Sequence, residues 1–412
     1  MAFLYEEQKL GKGFSGDLFG RLKVSDPYTI FDSSNVYELN SDFDDIIVGA
    51  GASVGYSTAQ STALLEVGTT SGEYVHRESR RVFSYQPGKA LQVLQTFVFD
   101  EQKTNLVQRA GYGSSTDGVF LEQDGTSINI IKRTGISGVG TTVTVAQANW
   151  NEDTLDGTGP SGYTLDLTKA QIFFTEYEWL GVGSARVGFA IDGKFVVAHQ
   201  FNHANVIDSV YMTSATLPVR YEIENNGAVS TASTMKQICA SVQSNGGYQR
   251  SINKYIVTRP FASELTLGTT ILPVISVRLA PGRENAVILP KYFSIFPTST
   301  AGAIIEYSIY KNADITGGTA PSWTLSDSNN VQFDISATAM TGGIMIRNEY
   351  IQESDNNTNL STQVVSIDDD YNWDFQLGRT QNGVSDIYTL AALVDGGTTT
   401  TVIGSIGFFD LT

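Results

Sequence analysis

The sequence is poor in the residues that most enzymes use for chemistry. Cys239 is the single cysteine, and His76, His199 and His203 are the only histidines. One cysteine excludes an intramolecular disulfide, whereas a large secreted β-protein would often carry several. Charged residues are also few, at 17%, and 43 acidic against 26 basic side chains leave a formal charge of −17. That balance argues against binding to a nucleic-acid backbone or to an anionic membrane. No apolar run reaches the roughly 18 residues of a membrane-spanning helix. Glu6 and Glu7 stand where a secretory leader needs an apolar stretch. The expectation is synthesis in a reducing cytoplasm.

The abundant residues point to strands. Forty glycines, 19 tyrosines and 21 phenylalanines occur among 412 residues, together with many Thr, Ser, Val and Ile. Such a composition suits short strands joined by tight turns. In SARVGFAIDGKFVVAHQFNHAN (Ser184 to Asn205), Asp192-Gly193 signals a type I′ hairpin. Folding about it sets Val187, Phe189 and Ile191 on one face with Lys194, Val196 and Ala198. Asp124-Gly125 predicts a second hairpin, with Val119, Leu121, Ile128 and Ile130 sharing a face with Gln123 and Thr126. Gln171 to Gly183 reads as a strand just upstream of the first hairpin. The expected fold is all-β: a concanavalin/laminin-G-like antiparallel sandwich of jelly-roll type, then a second, smaller β-sandwich.

The chain is too long for one ordinary sandwich. Residues 1–20 lack any period and read as an arm. Residues 21–260 carry the first set of strands, with Arg80 to Phe99 read as two strands about Pro87-Gly88. Pro260, Pro273, Pro281, Pro290 and Pro297 punctuate the next stretch, and the boundary is expected between 255 and 275. The second sandwich is assigned to 261–412. Within it Tyr371 to Leu377 alternates without a fault and predicts a half-buried strand.

Candidate chemistry is sparse. Glu176 and Glu178, two apart on a strand, would share a face about 7 Å apart, the kind of pair a retaining glycosidase needs. Glycosidases of this sandwich class continue Glu-x-Asp-x-x-Glu, but here Gly181 and Val182 occupy that stretch, so a polar face of a half-exposed strand is the plainer reading. His199 and His203 would lie about 13 Å apart on a strand and could not share a metal. Asn151, Glu152, Asp153 and Asp156 could offer oxygens to calcium, as could Asp368 to Asp370, though neither spacing is that of an EF-hand. Gly11-Lys12-Gly13 and Gly49-Ala50-Gly51 lack the rest of a phosphate loop. Cys239 reads as a buried, inert thiol. No catalytic residue, cofactor or metal ligand is assigned. Exposed aromatics, with Trp150 or Trp179 beside Glu176 and Glu178, would instead favour a sugar platform.

Several long motifs resemble one family. VFSYQPGKALQVLQTFVF (Val82 to Phe99), DGTGPSGYTLDLTKAQIFF (Asp156 to Phe174), EWLGVGSARVGFAIDGKF (Glu178 to Phe195) and FNHAN (Phe201 to Asn205) are similar to virion structural proteins of tailed, especially marine, bacteriophages. These are often called tail-fibre or virion-appendage proteins. The likeness covers about residues 75 to 260 and continues more weakly through Pro290 to Ser299 and Asp386 to Leu393. It implies a non-enzymatic subunit of the virion that partners other copies of itself and other virion proteins, with host attachment through a surface glycan as a second role. Neither nucleic acid nor membrane is among the implied partners. The other class is a carbohydrate-binding or glycan-hydrolysing β-sandwich protein.

Overall fold

A computed structural model describes residues 16–18, 26–138, 140–248, 253–299, 302–352, 363–366, 373–396 and 399–412. The chain separates into two compact units, Met1–Arg250 and Ser251–Thr412. Among the described residues every regular element is a strand, apart from three single-turn 3₁₀ segments. The protein is all-β, as composition predicts.

In the first unit, strands β1 to β15 are, in order, Tyr28–Ser34, Phe43–Val48, Ser53–Ser57, Thr62–Val67, Tyr74–Ser79, Leu91–Val98, Leu106–Gly113, Gly118–Asp124, Ser127–Thr134, Thr141–Ala146, Gln171–Tyr177, Ala185–Ile191, Lys194–Phe201, Val219–Asn225 and Ser233–Ser244. Eight form one antiparallel sheet, β13-β12-β11-β6-β15-β4-β3, with β1 also paired to β15. Seven form the other, β10-β9-β8-β7-β14-β5-β2. Gln95 Nε2 donates to the Arg220 carbonyl and the Tyr221 hydroxyl to the Cys239 carbonyl, so polar bonds cross the aromatic core. Phe173 stands at its centre, 5.4 Å from Phe189 and 6.5 Å from Phe97, ring to ring.

Both Asp-Gly hairpins form. Ile191 pairs with Lys194, which leaves Asp192 and Gly193 as a two-residue turn at φ +51° and +72°. Two positive φ values are the mark of a type I′ turn. Val187 and Phe189 are fully buried, and Ile191 near the tip is half-buried. At the other hairpin Asp124 pairs with Ser127, so the turn residues are Gly125 and Thr126, one position later than expected. Pairing moves by two residues, Leu121 opposite Ile130, and with a period of two the predicted face survives.

In the second unit, β16 to β26 are Asn253–Arg259, Leu265–Leu267, Leu272–Leu279, Ile288–Pro297, Ile304–Lys311, Thr324–Leu325, Val331–Asp334, Ile344–Gln352, Gln363–Ser366, Ile387–Asp395 and Thr400–Asp410. They form a five-stranded sheet, β16-β26-β19-β24 with β17 on β26, and a six-stranded one, β21-β22-β18-β25-β20-β23. Phe293, Ile305, Leu390 and Phe408 belong to their shared core.

Four expectations need correction. The unit boundary is at 250/251, ten residues before 261, because Asn253–Arg259 pairs with β26. Of the five prolines that suggested a linker, three lie inside strands: Pro273 and Pro290 flank register shifts and Pro297 ends β19, positions that tolerate a missing N–H. Arg80 to Phe99 holds one named strand, β6, not two; upstream of it Phe83 makes only an isolated bridge to Leu217. Trp373–Phe375 is a 3₁₀ turn, not part of a strand. Trp373, Gln376 and Leu377 are the buried residues there, a spacing of three and four that no strand can provide. Residues 1–15, most of the expected arm, and Asp368 to Asp370 lie outside the described residues.

Candidate functional site

RYEIEN (Arg220 to Asn225) alternates along β14. Tyr221 and Ile223 point into the core and are fully buried, so Arg220, Glu222 and Glu224 share the outer face of the seven-stranded sheet. Register then decides their neighbours. On β7, Arg109 lies opposite Glu222, and on β8 Glu122 lies opposite Arg109. On β5, Glu78 lies opposite Arg220 and His76 opposite Glu222. Arg133 reaches in from β9.

These side chains interlock. Glu222 is held by three arginines: Arg133 grips it with two parallel bonds of 2.8 Å each, Arg109 Nη1 donates at 2.9 Å and Arg220 Nε at 2.5 Å. Arg109 also donates to Glu122 at 2.6 Å and to Glu224 at 2.5 Å. Arg220 pairs with Glu78 as well and donates to His76 Nδ1 at 3.2 Å. That bond leaves the proton on Nε2, which faces Glu224 at 3.5 Å. Tyr74 stacks on His76 at 4.5 Å.

This geometry sets the electrostatics. Burial alone would raise the Glu222 pKa, but the bonds and charges of Arg133, Arg220 and Arg109 override it and hold the carboxyl well below the usual range. Glu224 is lowered in the same way by His76 and Arg109, against the desolvation that opposes them. Desolvation works against the Arg109 charge, yet Glu222, Glu224 and Glu122 make its guanidinium more basic than usual. A carboxylate so held accepts hydrogen bonds well and donates a proton poorly. The face is therefore suited to rigidity, not to acid–base catalysis, which needs one carboxyl with a raised pKa.

The carboxylates singled out from sequence occupy the other sheet. Glu176 is 0% exposed, not on a half-exposed face. Its Oε2 accepts from Arg186 Nε at 2.7 Å and its Oε1 from Asn245 at 2.9 Å, and Arg186 goes on to the Gly16 carbonyl. Glu178 is buried just beyond the end of β11. Trp150 and Trp179 offer no platform beside them: Trp150 is buried and donates to the Val145 carbonyl, and half-buried Trp179 donates to that of Met212.

The histidines serve separate local roles. His203 Nδ1–H donates to the Gly183 carbonyl at 2.6 Å, so Nε2 accepts from Lys132 at 2.7 Å. Its ring lies parallel to Tyr211 at 4.0 Å, and burial lowers its pKa to about 4. His199 Nδ1 accepts the Asn151 N–H. In the polar loop, Asp153 accepts the N–H groups of Leu155 and Ser161, and Asp156 accepts from the Thr158 N–H and the Thr154 hydroxyl. These carboxylates order the loop itself. Among the described residues no three His, Cys, Asp or Glu side chains converge as metal ligands would. Cys239 is half-buried at a strand bulge, not enclosed as expected.

Sequence reasoning passed over Glu222 and Glu224. The alternation of Arg220, Glu222 and Glu224 against Tyr221 and Ile223 was the signal that could have found them.

No family model and no curated protein matches the chain. Solved structures match its fold at low similarity. The carbohydrate recognition domain of Emp47p aligns at 12% identity over 54% of this chain and 99% of its own, with a TM-score of 0.33. A Bacillus licheniformis β-glucanase aligns at 11% over 53% and 98%, TM-score 0.33. A legume lectin-like domain from Entamoeba histolytica aligns at 9% over 55% and 100%, TM-score 0.31. The likeness is one of sandwich architecture and reaches no side chain.

Proposed function

We propose that this chain is a non-enzymatic structural subunit of a tailed-phage particle, which associates with copies of itself and docks to other virion proteins. The observation that carries the reading is the edge of the six-stranded sheet in the second unit. Strand β23 has no described strand on its outer side, and Ile344, Met345 and Tyr350 stand 64%, 49% and 59% exposed along it. A long edge strand with exposed apolar side chains is a ready template for another chain unless it is covered. At a net charge of −17 subunits repel one another, so association needs shape-matched apolar contact of this kind. The motif resemblance supplies the particle as context.

Glycan hydrolysis is the weaker alternative, because Glu122, Glu222 and Glu224 on the outer face and Glu176 in the other sheet are each held by arginine. Sedimentation velocity on the purified chain and on Ile344→Asp, with mass spectrometry of purified particles, tests the proposal. An oligomer that dissociates in the variant, and many copies per particle, are expected. A monomeric wild-type chain absent from particles overturns it.

A further inference from the structure

The five-stranded sheet of the second unit carries a trough on its outer face. Along β26, Ile403, Ser405 and Gly407 alternate with the inward Val402, Ile406 and Phe408, which are buried. Register flanks Ser405 with Thr258 of β16 and Ser294 of β19, and flanks Gly407 with Ile256 and Tyr292. The Tyr292 ring closes over Gly407, 3.2 Å from the position a Cβ would take, whereas Thr258, Ser405 and Ser294 set three small side chains side by side and leave a depression. It measures about 330 Å³ and is lined by Thr258, Phe261, Ser294, Phe296, Ile403 and Ser405. Phe261, on the 3₁₀ turn after β16, is 62% exposed and meets Phe296 edge to face at 6.4 Å.

We propose that this trough binds a short stretch of a neutral oligosaccharide. Three features of the lining select that ligand. Its aromatic rings present apolar faces suited to the C–H face of a sugar ring. Its floor is a row of hydroxyls, Thr258, Ser405 and Ser294, each able to donate and to accept; Ser294 and Ser405 bond each other at 2.5 Å. No lining side chain is ionisable, so nothing there selects a charged group. An apolar segment seated on the trough would bury those hydroxyls against atoms that cannot bond them, which is unfavourable. A sugar's hydroxyls can. The volume lies at the low end of the roughly 300–1,000 Å³ of small-ligand sites, and the trough is open to solvent, so a ligand longer than the trough can extend beyond it.

Glycan binding at the trough is independent of the particle reading. The test uses the full chain with maltopentaose, cellopentaose, laminaripentaose, chitotetraose and an array of neutral mammalian and bacterial oligosaccharides, read by saturation-transfer NMR and calorimetry. At least one neutral glycan should bind. Phe261→Ala should weaken it about tenfold, as loss of an aromatic anchor does, and Ser294→Ala a few-fold, with far-UV circular dichroism unchanged. Thr258→Ala serves as a second polar variant should Phe261→Ala fail to fold. Absence of binding across the panel, binding that Phe261→Ala and Ser294→Ala leave intact, or a preference for sialylated or sulfated glycans overturns the assignment. So does a loss of self-association in Phe261→Ala, which would make the face a contact between copies of this chain. The glycan-binding outcomes leave the β23 contact and incorporation into particles untouched, so the two proposals fail separately.

Discussion

Two outer sheet faces of this protein are built from opposite materials. The seven-stranded sheet of the first unit covers itself with arginine and glutamate. The five-stranded sheet of the second unit presents aromatic rings and hydroxyls. On the first, nearly every charge is satisfied by another: three arginines surround Glu222, and Arg109 alone serves Glu122, Glu222 and Glu224. On the second, Phe261 and Ile256 remain mostly exposed. The difference teaches that chemical richness and availability are separate properties. The face with more reactive-looking residues is the one whose residues are already occupied.

Breaking the charged face should have the largest effect. Glu222→Ala leaves largely buried Arg133 without its carboxylate and takes one partner each from Arg109 and Arg220, and urea unfolding read by tryptophan fluorescence should lose about 3–5 kcal/mol, the usual cost of removing one partner from a buried pair. Ser405→Ala on the hydroxyl-lined face should stay within about 0.5 kcal/mol, as ordinary surface changes do. Equal effects at the two positions would erase the contrast.

Acid should act next, first at His203 and then on the charged face. An unfolded histidine binds its proton near 6.5, whereas His203 in the fold resists until about 4. The unfolded state thus holds more protons across that window, and stability falls as pH drops from about 6.5 toward 4. Glu222 and Glu224, lowered in the fold, lose their contribution further down, as pH falls below the ordinary glutamate range. A denaturation series from pH 8 to 3 should therefore decline in two stages, and His203→Gln should shrink the upper one, to which His199, also lowered by burial, contributes. Stability flat from pH 7 to 5 in the parent chain would contradict this.

A third substitution calibrates backbone strain away from either face. Gly193 sits at φ +72° with nothing within 4 Å of the position a Cβ would take. Gly193→Ala should accordingly cost about 1 kcal/mol through conformation alone. The smallest effect belongs to Phe261→Ala, whose thermal midpoint should match the parent within error, since the ring is exposed. A marked drop would mean that Phe261 is structural and the trough is not open.

The hairpins were legible because both parts of their signal are local: a dipeptide that tolerates positive φ, and flanks that alternate with period two. Even a turn displaced by one residue kept its faces. Tyr371 to Leu377 carries an equally regular alternation and still misled, since the burial of Trp373, Gln376 and Leu377 is set by the core they meet and not by their own order. The ionic face was illegible for another reason. Glu222 bonds Arg133 and Arg109, 89 and 113 residues away, and only strand order brings them together. Glu176 and Glu178 drew attention because they are close in sequence. Glu222 and Glu224 have the same spacing, but their identity as a lattice depends on β7, β9 and β5.

The most direct test is a carbon-13 titration of the Glu222 side-chain carboxyl in the full chain, assigned with Glu222→Gln. A lattice that holds this group as a fixed anion predicts a midpoint well below the ordinary glutamate value of about 4.3, accompanied by loss of the fold as it protonates. A midpoint at or above that value, with the fold intact, would describe a carboxyl free to exchange protons and would contradict the account.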